Sequence, residues 1–257
     1  MTEILAVEGL TKRFGGLNAV DGAAFEVERG SLTALIGPNG AGKTTLFNAL
    51  TGFVAAEAGS VRLEGEEVFR HQPHELCRRG MVRTFQITKA LTGMPVIDNL
   101  MLAAAGQPGE RLGGIVLRPR AWRRREAEVR AQALELLARF GLADHADAYA
   151  GTLSGGQRKL LEMARALMTS PKLLLLDEPM AGINPTLGRR LIEHIETLRS
   201  DTGLTVLFVE HDMEVVMNHS DRVVVMAEGR VIASGTAAEV RRDRAVIDAY
   251  LGGGEQE

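Results

Sequence analysis

The stretch that decides the fold of this chain is Gly37-Pro38-Asn39-Gly40-Ala41-Gly42-Lys43-Thr44-Thr45. It fits the pattern G-x-x-x-x-G-K-[ST], which is typical of a phosphate-binding P-loop. The apolar run of residues 31–36 before it predicts a buried strand, and Leu46, Phe47 and Leu50 after it recur at helical spacing up to Gly52. The order of strand, glycine-rich loop and helix that a P-loop requires is therefore present.

The residue types of this loop suit phosphate chemistry. Glycines let the backbone turn its N–H groups inward as an anion-binding nest. The start of the following helix adds free N–H groups and the positive end of a dipole. Lys43 is expected to reach the β- and γ-phosphates of a nucleotide, and the Thr44 hydroxyl is expected to bind Mg²⁺. Because the pattern arises by chance in about one chain of this length in a hundred, it predicts nucleotide binding.

The composition is that of an ordinary globular chain of 257 residues, long enough for one large α/β domain or two small ones. The net charge of −3 gives no electrostatic reason to bind nucleic acid or anionic lipid. The single cysteine, Cys77, excludes an intrachain disulfide and suits a reducing compartment. The sequence shows neither a signal peptide nor an apolar stretch of membrane-spanning length, so we expect any role at a membrane to depend on other chains.

Two further strands run directly into polar residues. The apolar strand of residues 173–176 leads into Asp177 and Glu178, and the strand of residues 205–209 delivers His211. In a P-loop protein, the first carboxylate after such a buried strand holds Mg²⁺, and Glu178 is then placed to orient or deprotonate the attacking water. Ligands bind at the carboxyl ends of parallel strands. We therefore expect these side chains and the P-loop at one edge of a sheet.

A second anion-binding device is predicted at Leu153-Ser154-Gly155-Gly156-Gln157, which reads as a helix N-terminus with a capping serine and two glycines. A fixed pentapeptide of this kind arises by chance in well under one chain in roughly a thousand. Since one chain needs a single phosphate cradle, this device is expected to serve a nucleotide held by a different subunit.

The patterns together predict an α/β fold: a P-loop NTPase core with a mostly parallel sheet, an N-terminal antiparallel β subdomain and an inserted α-helical subdomain. Residues 3–30 and the hairpin of residues 60–68 alternate as antiparallel strands do. Residues 87–152 are rich in Ala, Leu and Arg and predict the helical subdomain. Within it we expect one helix over residues 96–105 and another over residues 122–140, whose apolar face comprises Val129, Ala133, Leu136, Leu137 and Phe140. Elsewhere strands and helices alternate. We expect a single domain over residues 1–257, with a core of residues 1–86 and 153–257 and a C-terminal helical tail of residues 236–257.

The chain resembles the ATP-binding-cassette (ABC) ATPases over its whole length, through the P-loop, Gln86, LSGGQ, LLLLDEP and the histidine after TVLFVE. The resemblance implies two subunits that sandwich two ATP molecules head to tail, with Mg²⁺ bound at each. It implies that Phe14 stacks on adenine, and that Gln86 binds Mg²⁺ and senses the γ-phosphate beside the membrane partner. It also implies that Ser154, Gly155, Gly156 and Gln157 contact ATP across the dimer interface, and that His211 is the γ-phosphate switch.

A narrower resemblance is carried by Phe14-Gly15-Gly16-Leu17, Arg83-Thr84-Phe85-Gln86, AGINP at residues 181–185, and residues 246–252. These stretches look like the first of the two ATPase subunits of bacterial importers for branched-chain amino acids. That likeness implies a partner ATPase subunit (a paralogue or a second copy), two integral-membrane permease subunits and, indirectly, a solute-binding protein outside the membrane. It implies a peripheral location on the cytoplasmic face of the inner membrane, with Leu, Ile and Val as cargo and no nucleic-acid partner.

Other functions stay open at this point. Similar ATPases power urea or amide import and lipid or lipopolysaccharide export. A non-transport ABC ATPase acting on nucleic acid usually needs long coiled coils or two cassettes, whereas residues 87–152 form a short insert without sustained heptads. Small kinases and GTPases share the P-loop but leave LSGGQ unexplained.

Two local features have no fixed role. Asn184 stands where the wider superfamily usually has an aspartate, so the part this loop plays between the two sites is open. The basic run Arg118–Arg125 is either a solvated helix start or a contact for lipid headgroups or a permease loop.

Overall fold

The computed structural model of the protein describes residues 2–84, 90–105 and 119–251. The chain divides into two compact units. The first comprises Met1–Arg83, Lys172–Met180 and Ile195–Glu257, and the second comprises Thr84–Pro171 and Ala181–His194. The second unit includes the helix after Ser154, which the sequence analysis assigned to the core. The predicted domain boundaries stay a prediction.

The strands all lie in the first unit. In chain order they are β1 (Glu3–Phe14), β2 (Leu17–Glu28), β3 (Leu32–Ile36), β4 (Ala58–Leu63), β5 (Glu66–Glu67), β6 (Met81–Arg83), β7 (Leu173–Asp177), β8 (Thr205–Val209), β9 (Arg222–Ala227) and β10 (Arg230–Gly235). One sheet has the order β2-β1-β4-β5 and is antiparallel throughout. The predicted antiparallel β subdomain is therefore confirmed.

The second sheet has the order β10-β9-β3-β8-β7-β6 and is parallel except for β10. Its central strands β3, β8 and β7 are buried at every position. Such strands must be apolar because both faces of a parallel sheet are covered. Leu35 and Asp177 both pair with Val209 of β8, so the carboxyl ends of the three strands lie at one level.

The helices are α1 (Lys43–Leu50), α2 (Pro73–Arg78), α3 (Val96–Ala103), α4 (Pro119–Arg139), α5 (Gly155–Leu167), α6 (Pro185–Thr202), α7 (Met213–His219), α8 (Ala237–Val240) and α9 (Arg244–Leu251). Helix α1 buries Leu46, Phe47 and Leu50 in the core of the first unit. Burying one such side chain stabilises a fold by about 1.5–3 kcal/mol. Across the described ranges, none of the helices combines the length and apolarity that a membrane span requires.

The second unit packs α3, α4 and α5 against one another. Helix α4 buries Val129, Ala133 and Leu137, which confirms the apolar face predicted for it. The buried Asn99 side chain donates to the carbonyl of Pro95 and accepts from the N–H of Leu91. These bonds connect the segment before α3 to the helix. A buried amide is tolerated because its polar atoms are paired.

Several bounds differ from the sequence prediction. Helix α4 begins at Pro119 rather than Trp122, since proline suits the first turn of a helix. Helix α3 ends at Ala103 rather than Ala105 because Ala104 is already extended, with ψ 132°. The sequence analysis placed no strands over residues 222–235, where the structure has β9 and β10. The α/β class with a mostly parallel sheet is confirmed.

Candidate nucleotide site

The P-loop joins the end of β3 to the start of α1, as the sequence predicts. Backbone atoms of neighbouring strands pack closely against two of its glycines. A Cβ on Gly37 would lie 2.1 Å from the carbonyl oxygen of Met226 in β9. A Cβ on Gly42, the N-cap of α1, would lie 2.2 Å from the carbonyl oxygen of Ala19 in β2. Both positions therefore require glycine for space, and φ of 97° at Gly42 requires it for backbone conformation as well. Asn39 and Gly40 lie exposed at the tip of the loop.

The Lys43 side chain folds back over its own loop. Its Nζ donates to the carbonyl oxygen of Gly37 at 2.7 Å and to that of Pro38 at 3.0 Å. Burial lowers the pKa of Lys43, and the nearby carboxylate of Glu178 works in the opposite direction. A partly desolvated cation inside a ring of backbone groups is a suitable partner for phosphate oxygens. Thr44, one residue on, is exposed.

Asp177 and Glu178 leave β7 in different environments. Asp177 is buried, and its Oδ2 accepts a hydrogen bond from Nη2 of Arg83 at 2.6 Å. Glu178 is half-buried and adopts φ 48°, in the left-handed region that residues with a Cβ rarely occupy. Its N–H donates to the carbonyl of Val209 in β8 at 3.1 Å. Strained backbone of this kind concentrates at functional sites.

The histidine after β8 stands next to a buried glutamate. The side chain of His211 is 69% exposed, and its Nδ1 lies 3.8 Å from Oε2 of Glu210. Glu210 also accepts from the N–H of Met180 at 2.9 Å and from the N–H of His211 at 3.3 Å. Burial raises the pKa of Glu210. Glu210, which no sequence motif singles out, links the strand end that carries His211 to the segment that follows Glu178.

Phe14 ends β1 with 50% of its surface exposed. The Nζ of Lys12 lies 5.0 Å from the centroid of its ring and is held by Glu57 at 2.7 Å. An exposed aromatic ring with a cation on it is available for stacking against a planar base. The stacking of Phe14 on adenine stays a prediction.

Tyr250 of α9 reaches the P-loop from the C-terminal end of the chain. Burial raises the pKa of Tyr250, while a hydrogen bond between its side chain and the backbone of Gly37 lowers it. Together the two effects raise the pKa of Tyr250. The sequence analysis used this residue only for the narrower family resemblance, and the structure adds a contact with the first glycine of the P-loop.

The second unit carries the LSGGQ stretch at the start of α5. Ser154 is the N-cap: its Oγ accepts from the N–H of Gln157 at 3.2 Å, and the Gln157 side chain accepts from the N–H of Ser154 at 2.9 Å. This capping box confirms the helix start predicted there. A Cβ on Gly156 would lie 2.5 Å from Cδ2 of Leu187, whereas one on Gly155 would meet nothing within 4 Å. Gly156 therefore packs closely against the Leu187 side chain of α6, and Gly155 faces open space.

Comparison with known proteins identifies the family. Residues 20–181 match the family model described as ABC transporter, and residues 230–256 match the one described as branched-chain amino acid ATP-binding cassette transporter. The chain belongs to the ABC transporter family. The high-affinity branched-chain amino acid transport ATP-binding protein BraF of Pseudomonas aeruginosa is 45% identical over 97% of this chain and 98% of its own length. The corresponding LivG protein of Escherichia coli K12 is 41% identical over 97% and 98%.

Solved structures of ABC cassettes have the same fold as this ABC ATPase. A cassette of an ABC transporter in its ADP conformation is 38% identical, with a TM-score of 0.82, over 98% of this chain and 100% of that chain. A nucleotide-free cassette from an ABC transporter has the same identity and TM-score over 97% and 99%. These findings confirm the resemblance drawn from the sequence and the prediction of an ATPase.

The remaining predicted residues of this ABC ATPase have separate outcomes. Gln86 lies outside the described residues. Asn184 caps α6, since its Oδ1 accepts from the N–H groups of Thr186 at 2.8 Å and Leu187 at 3.2 Å. An amide oxygen therefore does the capping that an aspartate would also do. In the basic run, Arg124 and Arg125 pair with Glu128 at 3.0 and 3.6 Å, as expected for a solvated helix start.

The residues of this ABC ATPase fit the nucleotide and the metal that its family implies. Positive φ values and neighbouring backbone shape the loop of residues 37–42, and the Lys43 ammonium lies within it. Such a loop suits an anion. Mg²⁺ prefers oxygen ligands and binds through one or two carboxylates together with phosphate oxygens. Thr44 and Asp177 provide a hydroxyl and a carboxylate of the right kind, on α1 and at the end of β7.

Proposed function

We propose that this chain is the ATP-hydrolysing subunit that powers a membrane importer of branched-chain amino acids. One observation supports the hydrolytic part above all: β3, β8 and β7 are neighbours in one sheet, and the P-loop, His211 and the Asp177-Glu178 pair follow their carboxyl ends. The cargo is supported by relatives that carry branched-chain amino acid transport in their names and match nearly the whole chain.

In this proposal each residue has one task. Lys43 and the N–H groups of residues 37 and 39–45 bind the phosphates, and Phe14 stacks on adenine. Thr44, Asp177 and Gln86 hold Mg²⁺. Bound ATP would supply the phosphoryl group, and Mg²⁺ would neutralise charge on the phosphate oxygens.

The two remaining residues act on the reacting groups. Glu178 accepts a proton from the attacking water, and its half-buried position near the Lys43 ammonium supports this assignment. His211 hydrogen-bonds the γ-phosphate. Its largely exposed side chain is free to turn toward that group.

The nucleotide site is completed by a second ABC ATPase subunit, either a paralogue or another copy of this chain. Residues Ser154, Gly155, Gly156 and Gln157 bind the γ-phosphate of the partner's ATP, and the partner's equivalent stretch binds the ATP held here. The exposure of Ser154 and the open space at Gly155 support this use of the helix start. ATP binding then closes the dimer and hydrolysis opens it.

The dimer drives two integral-membrane permease subunits, which receive the amino acid from a solute-binding protein. The ATPase lies peripherally on the cytoplasmic face of the inner membrane. Substrate never contacts this subunit, so its residues determine how the importer is powered and the permease determines what is carried.

The hydrolytic role is tested with Glu178→Gln. The variant is expected to bind ATP like the wild type, to lose hydrolysis by at least about a hundredfold, and to form an ATP-dependent dimer in size-exclusion chromatography with light scattering. Glu64→Gln is a matched control because Glu64 also adopts a left-handed conformation, φ 52°, in a surface turn. It is expected to hydrolyse ATP normally. A Glu178→Gln variant with wild-type hydrolysis would refute the assigned role.

The cargo is tested in the assembled transporter. Permease and solute-binding proteins that co-purify from native membranes are reconstituted in proteoliposomes, and ATP hydrolysis is measured with leucine, isoleucine or valine. Stimulation by these amino acids is expected, and no stimulation by urea or amides. If all three amino acids fail, the cargo assignment is wrong and the ATPase assignment stands.

A further inference from the structure

Arg83, the last residue of β6, has a buried guanidinium between α1 and β7. Its side chain is 6% exposed and that of its ion-pair partner Asp177 is 3% exposed. Nη2 donates to Oδ2 of Asp177 at 2.6 Å, while Nη1 donates to Oδ1 of Asn48 at 2.7 Å and to Oγ1 of Thr51 at 3.1 Å. Phenylalanine rings enclose it as well, with centroids at 5.7 Å (Phe47) and 5.9 Å (Phe53).

The pairing sets the direction in which the Asp177 carboxylate points. Arg83 lies opposite Leu175 in the parallel register of β6 and β7, two residues before Asp177. From there one nitrogen of the guanidinium, Nη2, donates to Oδ2, so the position of Arg83 fixes that oxygen and restricts rotation of the carboxylate. A buried carboxylate without such a partner would also be strongly disfavoured.

The other contacts of the guanidinium connect it to the P-loop helix. Asn48 lies on α1 and Thr51 is its C-cap, and the same helix carries Thr44 in its first turn. Arg83 therefore bonds at once to the helix that carries the Thr44 hydroxyl and to the strand that carries the Asp177 carboxylate. A shift of either element relative to the other would break one of these bonds.

We propose that Arg83 is a positioning residue of the Mg²⁺ site, holding Asp177 and helix α1 in one arrangement so that the carboxylate and the Thr44 hydroxyl are presented together. The inference rests on the proposed function, in which these two groups bind the metal. Partners that orient metal ligands in this way change metal affinity by about 10- to 100-fold when they are removed. A purely structural ion pair would change stability and leave the metal affinity of the folded protein as it was.

The test measures Mn²⁺ as a probe of the Mg²⁺ site. Free Mn²⁺ is followed by electron paramagnetic resonance in the presence of the protein and a non-hydrolysable ATP analogue, and binding of the same analogue in EDTA is measured separately by fluorescence. For Arg83→Met, the Kd for Mn²⁺ is expected to rise by about 10- to 100-fold, with analogue binding in EDTA close to that of the wild type. Arg29→Met, which removes a surface arginine paired with Glu64 at 2.7 Å, is the matched control and is expected to leave both values unchanged.

Two milder variants keep the test decisive, because Arg83→Met leaves Asp177 uncompensated and therefore also destabilises the fold. Arg83→Lys keeps the charge but not the fork, and Asn48→Ala removes one anchor of the guanidinium. Both are expected to raise the Kd for Mn²⁺ by less than Arg83→Met does while unfolding close to the wild-type temperature. Folded Arg83→Lys and Asn48→Ala proteins with wild-type Mn²⁺ affinity would overturn the inference.

Asp177→Asn separates this inference from the function on which it rests. If Asp177→Asn weakens Mn²⁺ binding and the Arg83 and Asn48 variants do not, the proposed metal site stands and the role of Arg83 is wrong. If Asp177→Asn itself leaves the Kd for Mn²⁺ unchanged, the ligand assignment in the proposed function fails first.

Discussion

Gly42→Ala tests whether the P-loop is shaped by its neighbours rather than by its own flexibility. The new Cβ would lie 2.2 Å from the Ala19 carbonyl oxygen and 3.4 Å from Cα of Gly229, so it meets backbone on two sides. A clash with backbone cannot be relieved by a rotamer change, as a clash with the end of a side chain can. Overpacking of this kind costs about 1–3 kcal/mol.

The same loop provides a control for the conformational part of the cost. Gly40 has φ of 80°, similar to the 97° of Gly42, but a Cβ there would meet nothing within 4 Å. An L-residue in this region costs about 1–2 kcal/mol at either position. The loss of freedom in the unfolded chain is also the same for both substitutions. The difference between Gly42→Ala and Gly40→Ala therefore isolates the clash.

The assay is thermal unfolding of both variants without nucleotide. One kcal/mol shifts the Tm of a domain of this size by about 2–4 °C, so Gly42→Ala is expected to melt about 2–12 °C below Gly40→Ala. ATP binding should weaken more in Gly42→Ala, since the strain falls on the N-cap of the helix that meets the phosphates. Equal melting temperatures would refute the reasoning, because they would show that β2 and the turn at Gly229 yield to the added methyl group.

Two further predictions concern groups that support the site. Glu210→Gln should change how stability depends on pH, because burial raises the pKa of Glu210 in the folded protein. Protonated Glu210 stabilises the fold below its ordinary pKa of 4.5, and this contribution is lost as pH rises through the folded-state pKa. The Tm of the wild type should therefore fall relative to that of the variant above pH 4.5, and a pH-independent difference would contradict this. Tyr250→Phe keeps the ring but removes the hydrogen bond to the Gly37 backbone, so it should cost about 0.5–1.5 kcal/mol in thermal unfolding. Tyr250 is 41% exposed, so a loss well above that range would contradict the hydrogen bond as its cause, and an unchanged Tm would show that the bond contributes nothing.

Much of the fold could be predicted because the motifs carry their own structural context. A run such as Leu173–Leu176 that ends in Asp177 has few alternatives to a central parallel strand, and all five residues of β7 are buried. Ser154 and Gln157 have the spacing of a capping box, and the structure shows both of its hydrogen bonds. Such local patterns are predictable because the residues that stabilise them are close together in the sequence.

The missed features depend on residues far apart in the chain. Arg83 and Asp177 are 94 positions apart, and their pairing follows from the register of β6 on β7, which no local pattern specifies. Glu210 and Met180 are 30 apart and meet across the ends of neighbouring strands. The close packing at Gly156 comes from Leu187 on another helix. Each of these contacts needs tertiary pairing to be known first.

The P-loop itself shows why a motif match and a working site are different things. Its first glycine is shaped by Met226 of β9 and contacted by Tyr250 of α9, and its last is shaped by Ala19 of β2. These residues lie on both sides of the loop in sequence, and Tyr250 falls within the segment matched by the branched-chain family model. The pattern G-x-x-x-x-G-K-[ST] therefore identifies a sequence that is able to adopt the phosphate-binding conformation. Packing against β2, β9 and α9 fixes the loop in that conformation. It follows that a substitution at Tyr250 acts on the first glycine of the loop from α9, although Tyr250 belongs to no nucleotide motif.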